Sequence, residues 1–107
     1  MEKIHYSKEN FIKVECEFEI EDIKNVFLKG QDSFNRTVYF GMWQNQNGDG
    51  ITANVEDRKI MFDYSRYGLT GSTVNAKKFL QANKKVEKIS KEVFFNKLDS
   101  IKKILVI

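Results

Sequence analysis

The side chains that could make or break a covalent bond are few and scattered along the chain. Cys16 lies on the apolar side of an alternating segment, where a cysteine usually packs inertly, and the single histidine, His5, is near the first residue. A zinc site needs several Cys and His ligands, and the chain has one of each. Asp49, Glu56 and Lys59 could serve a small metal-dependent hydrolase, but their spacing matches no specific signature. The sequence therefore predicts a protein that is not an enzyme, with no catalytic residue, metal or cofactor, and it leaves the hydrolase as a second alternative.

The oxygen-bearing side chains between residues 45 and 56 have the spacing of an EF-hand calcium loop. Positions one, three, five, six and twelve of that pattern are filled by Asn45, Asn47, Asp49, Gly50 and Glu56. The first ligand is a neutral Asn, however, and the flanking residues alternate with the period of strands, whereas an EF-hand needs helices. We interpret the segment as a hairpin turn and leave calcium binding open.

A glycine-containing stretch at residues 68–73 stands where a phosphate-binding loop could form. Backbone N–H groups at the start of a helix attract anions. Ser72 occupies the position at which such a loop requires lysine, and the glycine spacing is short. We expect a flexible loop, with Ser72 or Thr73 capping the helix that follows.

Basic and aromatic residues are concentrated in the second half of the sequence, where they could contact nucleic acid. Lysines and arginines neutralise phosphates, and aromatic rings stack on unpaired bases. No RNA-recognition signature is present, so a solvated lysine-rich surface is the simpler interpretation. The predicted contact residues, for RNA more than for DNA, are Arg58, Lys59, Tyr64, Arg66, Tyr67, Lys77, Lys78, Lys84, Lys85 and Lys88.

A second predicted contact surface is acidic and aromatic. Residues 12–20 alternate between apolar and charged positions, which predicts a strand whose outer side carries Glu15, Glu17 and Glu19. Aromatic side chains are favoured in protein interfaces, so Tyr39 and Trp43 are added to this surface as anchors for a protein partner.

Composition indicates one globular domain that covers residues 1–107. Hydrophobic residues make up 41% and charged residues 31%, and there is no proline and no repeat. Residues 1–57 hold six basic and eleven acidic side chains, whereas residues 58–107 hold twelve and four. The first residues do not resemble a signal peptide, and no segment is apolar enough to span a membrane. We therefore expect a cytoplasmic protein, in a bacterial host, with no membrane contact.

The elements that must position these residues are mainly strands, followed by helices. Residues 36–44, 51–55 and 60–64 have strand periodicity and are separated by turn residues, which predicts an antiparallel meander. The strand at 36–44 is apolar on both sides, so it is either central and covered or partly a binding surface. Residues 22–30 fit a helical turn or a strand, and the strand is slightly favoured.

Two helices are expected near the end of the chain. The first contains Ala76, Phe79 and Leu80, and the second follows Ser90 with an apolar stripe that includes Phe94 and Leu98. A short strand at 86–89 separates them, and residues 105–107 should be buried. The predicted fold is α+β: an antiparallel sheet of about four to six strands with one or two C-terminal helices packed on one face.

The leading functional hypothesis is a small non-enzymatic binding protein, monomeric or homodimeric, that blocks a larger enzyme or nucleoprotein complex. Immunity-type inhibitors and small phage anti-defence proteins, including anti-CRISPR proteins, have this general form, a likeness of size and type that no particular residue carries. The first alternative is an RNA- or DNA-binding module that uses the basic half. The identity of the partner is not encoded in any pattern of the sequence.

Overall fold

The computed structural model describes residues 4–5, 19–20, 24–66 and 70–105, with side chains described at 24–66 and 74–104. The strands are β1 (Ile4–His5), β2 (Glu19–Ile20), β3 (Asn25–Asp32), β4 (Thr37–Gln44), β5 (Gly50–Val55), β6 (Ile60–Ser65) and β7 (Asn83–Lys88). The helices are α1 (Thr70–Ala82) and α2 (Lys91–Leu105). Of the strand predicted at 12–20, the structure describes only residues 19 and 20, which form β2. The predicted burial of residues 105–107 concerns side chains outside the described residues.

Strands β3 to β6 form the predicted antiparallel meander, and β7 completes a five-stranded sheet in the order β6-β5-β4-β3-β7. The α+β prediction is thereby confirmed, and the segment that could have been helix or strand is the strand β3. Helix α1 carries the chain from β6, at one edge, to β7 beside β3 at the other. Strands β1 and β2 pair with each other in a separate two-stranded sheet.

The two helices lie on opposite faces of the five-stranded sheet, rather than on the single face expected from the sequence. Val38, Phe40 and Met42 of β4 share one apolar cluster with α1, while Tyr39 and Trp43 pack with α2 on the other side. Side chains alternate across a strand, so a strand that is apolar on both sides needs a cover on each. The apolar pattern of β4 therefore marks the middle of a helix–sheet–helix arrangement.

The first residues of the two helices can be compared with the predicted caps. Ser90 Oγ accepts the N–H of Val93 at 3.1 Å, which confirms Ser90 as the cap of α2. Helix α1 begins at Thr70, two to three residues before the predicted caps Ser72 and Thr73, so the stretch proposed as a phosphate loop is largely helix. Serine and threonine are tolerated inside the first turn of a helix as well as at its cap, and sequence alone does not separate the two positions.

Candidate functional site

The outermost strand of the meander, β6, exposes three large apolar or aromatic side chains. Met61 is 52% exposed, Phe62 54% and Tyr64 59%. Met61 lies on the face of the sheet that carries α1, whereas Phe62 and Tyr64 lie on the face that carries α2, because their cross-strand partners are Asn54, Ala53 and Ile51. Single exposed apolar residues are ordinary, but three within four positions of an edge strand indicate a contact surface.

The hydrogen-bonding pattern between β5 and β6 determines which backbone groups of β6 point outward. The N–H of Glu56 donates to the carbonyl of Lys59 at 2.8 Å, and this pair closes the turn between β5 and β6. Because hydrogen-bonded pairs alternate along an antiparallel ladder, Met61 and Asp63 bond to β5, while Phe62 and Tyr64 direct their N–H and C=O groups away from the sheet. Among the described strands, none pairs with that outer side.

Polar contacts hold the rest of the strand in place. The hydroxyl of Tyr64 donates a hydrogen bond to Asp49, and this bond raises the pKa of Tyr64 above its usual value. Asp63 accepts a hydrogen bond from Asn75 of α1 at 3.2 Å. The ammonium of Lys102 lies 5.8 Å from the centre of the Phe62 ring. These residues define a surface that we call the β6 edge: the strand Ile60–Ser65 with its outward groups at Phe62 and Tyr64.

A second surface lies at one end of the sheet and includes Lys29, Tyr39 and Lys97 from the face that carries α2. Two adjoining cavities of about 440 Å³ and 670 Å³ share Lys29 and Thr37 in their walls. Together their lining residues extend across the sheet from β7 to the turn between β5 and β6. We call this surface the basic groove; it is lined by Lys29, Gly30, Gln31, Arg36, Thr37, Val38, Tyr39, Glu56, Asp57, Arg58, Lys59, Lys85, Val86, Glu87 and Lys97.

Three basic side chains of the basic groove have contacts of their own, and two of these contacts are ion pairs. Lys97 of α2 places its ammonium 5.7 Å from the centre of the Tyr39 ring. The Nζ of Lys29 lies 3.9 Å from Oε1 of Glu87, and both side chains are substantially exposed. Exposed ion pairs of this kind contribute little to the free energy of unfolding. The Nε of Arg36 donates to Asp32 at 2.8 Å.

Asp32 anchors the turn between β3 and β4 at the rim of the basic groove. Its carboxylate accepts the backbone N–H groups of Phe34 and Arg36, each at 2.9 Å, besides the side chain of Arg36. Partial burial would raise the pKa of Asp32, but the hydrogen bonds from Arg36 and Phe34, with the charge of Arg36, outweigh it and lower the pKa. The ionised carboxylate therefore fixes the turn that positions Arg36.

The predicted basic and aromatic residues divide among several surfaces. The basic groove is lined by three residues of the predicted basic and aromatic set, Arg58, Lys59 and Lys85. It also contains Tyr39, which was predicted as part of the acidic and aromatic surface. Tyr64 and Arg66 lie at the other end of β6. The remaining lysines are exposed on α1, at Lys77 and Lys78, and on β7, at Lys84 and Lys88.

The predicted acidic surface is mostly outside the described residues. Glu15, Glu17 and, from the basic set, Tyr67 are not described, and Glu19 is described only as backbone in β2. Trp43 is half-buried, with its ring 5.1 Å from that of Phe95 and 6.1 Å from that of Phe94. Trp43 therefore contributes to the packing of α2 on the sheet.

Sequence reasoning missed Lys29, Arg36 and Lys97 in the basic groove, and Met61 and Phe62 at the β6 edge. Lys29 and Lys97 are far apart in the chain and meet only because α2 lies over β3 and β4. The periodicity of residues 60–64 predicts a strand but does not indicate whether Phe62 is buried or exposed. The observed exposure of Phe62 follows from the position of β6 at the sheet edge, which periodicity does not reveal.

The residues proposed for calcium binding or hydrolysis do not converge. Asn45 accepts the N–H groups of Asn47 and Asp49 and so closes the hairpin between β4 and β5. Strand β5 then places Glu56 roughly 20 Å from Asp49, given about 3.3 Å per residue over its length. Asn45 and Asp49 therefore lie at the turn before β5, whereas Glu56 and Lys59 lie at the opposite end of that strand.

Within the described part of the chain, no group of three or more His, Cys, Asp or Glu side chains could hold a metal ion. No helix there has the length and apolar character needed to cross a bilayer. Comparison with known protein families, curated proteins and solved structures finds no match to this chain.

Proposed function

We propose that this chain is a non-enzymatic binding protein of the inhibitor type, which attaches to a larger protein by accepting one of that partner's extended segments at the β6 edge. The observation that carries the proposal is the exposure of Met61, Phe62 and Tyr64 on an edge strand. Strand addition draws affinity from main-chain hydrogen bonds and specificity from alternate side chains. The β6 edge offers both, through the outward backbone groups of Phe62 and Tyr64.

The charges around the β6 edge favour an acidic partner segment. Arg58 and Lys59 precede the strand, Arg66 follows it, and Lys102 lies against Phe62. Four acidic residues are also near: Asp49, Glu56, Asp57 and Asp63. Asp49 is engaged by the Tyr64 hydroxyl and Asp63 by Asn75. The segment that fits best is extended, with apolar side chains over Phe62 and Met61 and carboxylates towards the flanking basic residues.

The proposed contact supports an inhibitory role. A domain that captures an extended segment of an enzyme or nucleoprotein complex holds that segment away from its normal position. The captured segment loses conformational entropy when it becomes ordered. Because the sheet of the inhibitor is already formed before binding, it loses little further entropy, and this improves affinity. No chemistry is required of the inhibitor itself.

The test is photocrosslinking in the native host. A photoreactive phenylalanine analogue replaces Phe62 in one variant and Val93 in a matched control; Val93 is 49% exposed, but on α2. The proposal expects a discrete crosslinked protein from position 62 that is missing from position 93. Identical products from both positions, or crosslinks only within the chain itself, would contradict it.

A further inference from the structure

We propose that the basic groove binds single-stranded nucleic acid, a second activity that does not depend on the β6 edge. The first support is its shape. The two cavities share Lys29 and Thr37, and their lining residues extend across the strands, from Lys85 on β7 to Arg58 in the turn after β5. Three strand spacings of about 4.8 Å separate β7 from β5, so this path is roughly 14 Å long, which suits a short single-strand site of at most about four nucleotides.

The charge of the basic groove suits a phosphate backbone. Six basic side chains line it against three acidic ones, Glu56, Asp57 and Glu87, and one of the six, Arg36, is ion-paired with Asp32 at 2.8 Å. The basic residues come from separate elements, so their convergence is a product of the fold and not of one lysine-rich stretch. Of the acidic three, Glu87 already lies near Lys29, at 3.9 Å. A chain of phosphates would therefore meet an excess of positive charge along the whole path.

Tyr39 distinguishes a single strand from other polyanions. Its half-buried ring lines the larger cavity, with the ammonium of Lys97 5.7 Å from the ring centre. A base can stack on that ring only if it is unpaired, because the bases of a duplex are already stacked on one another. An acidic peptide would use the lysines but would gain no stacking from Tyr39. The pairing of an aromatic floor with basic walls therefore favours unpaired nucleotides.

The experiment measures fluorescence anisotropy of labelled eight-nucleotide oligouridine and oligothymidine, with a hairpin duplex and an oligoglutamate peptide as competitors. Tyr39→Ala should weaken oligonucleotide binding by about 5- to 100-fold, the range set by the loss of one stacked base, whereas Tyr39→Phe should change it less than about 2-fold. The RNA and DNA arms show which backbone is preferred.

The lysines provide a second readout, which stands even if Tyr39→Ala fails to fold, since Tyr39 also packs against the α2 cluster. For Lys59→Ala with Lys97→Ala, the slope of log affinity against log salt should become shallower by about 1.4, at roughly 0.7 for each phosphate that no longer meets a lysine. The matched control, Lys77→Ala with Lys78→Ala, removes the same charge from α1 and should leave the slope unchanged.

The proposal is overturned if neither oligonucleotide binds the full chain. It is overturned equally if the duplex or the peptide competes as well as the single strands do, or if the α1 control pair alters the slope as much as the groove pair. Retention of binding by Tyr39→Phe together with its loss in Tyr39→Ala supports it. Failure here leaves the β6 edge untouched, because Phe62 and Tyr64 lie outside the basic groove.

Discussion

The ring of Phe94 lies directly over Gly41, so closely that a methyl group on Gly41 would come within 2.5 Å of the ring's Cζ. Phe94 is fully buried in the cluster that joins α2 to the sheet. Glycine at this point of β4 lets the helix approach the middle of the sheet and places Lys97, one turn later, beside Tyr39. One close contact thus positions a wall of the basic groove.

Gly41→Ala should lower the free energy of unfolding by about 1–3 kcal/mol, because the added methyl group would overlap the fully buried ring of Phe94. Urea denaturation followed by circular dichroism measures the change. In a double-mutant cycle, Phe94→Leu should recover part of the loss in the Gly41→Ala background, since the smaller side chain leaves room for the methyl group. Strict additivity of the two substitutions would argue against the contact.

Ser90→Ala should destabilise the protein by about 1 kcal/mol, because the N–H of Val93 loses the side-chain oxygen that accepts it. Ser90→Asp should restore the stability, since a carboxylate accepts the same bond and favours the positive end of the helix. Thermal unfolding of the three proteins gives the comparison. A melting temperature that is the same for Ser and Ala would show that Ser90 does not cap α2.

The lowered pKa of Asp32 predicts a specific dependence of stability on pH. The ionised carboxylate stabilises the folded state above the pKa of an unfolded Asp, about 3.9, and this contribution is lost as pH falls through the lower folded-state pKa. Asp32→Asn should therefore be less stable than the wild type near neutral pH, with the difference shrinking under acid conditions. NMR titration of the carboxyl carbon and urea melts at several pH values check both parts. A difference that grows as pH falls would have the wrong sign.

Phe62→Glu should leave the fold almost unchanged, with a change in unfolding free energy below about 1 kcal/mol, because the side chain is more than half exposed. The same substitution should abolish binding of the partner identified by crosslinking, since it replaces an apolar contact with a charge that repels an acidic segment. Val93→Glu is the control at comparable exposure and should bind normally. Equal binding by both variants would remove the β6 edge from the interface.

Local features of the fold were predictable because they depend on neighbouring residues. The hairpin at Asn45, the cap at Ser90 and the strands around them follow from turn chemistry and alternation. The sequence predicted the helices on one face, and their placement on opposite faces explains the two-sided apolar pattern of β4 only once the structure is known. The choice of face for each helix depends on contacts such as Phe94 with Gly41.

The candidate surfaces were harder to predict, because they form from residues distant in sequence. Arg58 and Lys59 were identified from composition, while Lys29 and Lys97 joined them only through the packing of α2. The exposure of Phe62 depends on β7 joining the sheet beside β3, which leaves β6 as the opposite edge. Strand order of this kind is decided by the whole core and leaves no local pattern.

The open β6 edge is tested most directly by hydrogen exchange of individual backbone amides in the free protein. Met61 and Asp63, which bond to β5, should be protected, while Phe62 and Tyr64 should exchange rapidly. Strong protection of Phe62 and Tyr64 in the free chain would show that the edge is already paired, and would contradict its use as a docking site.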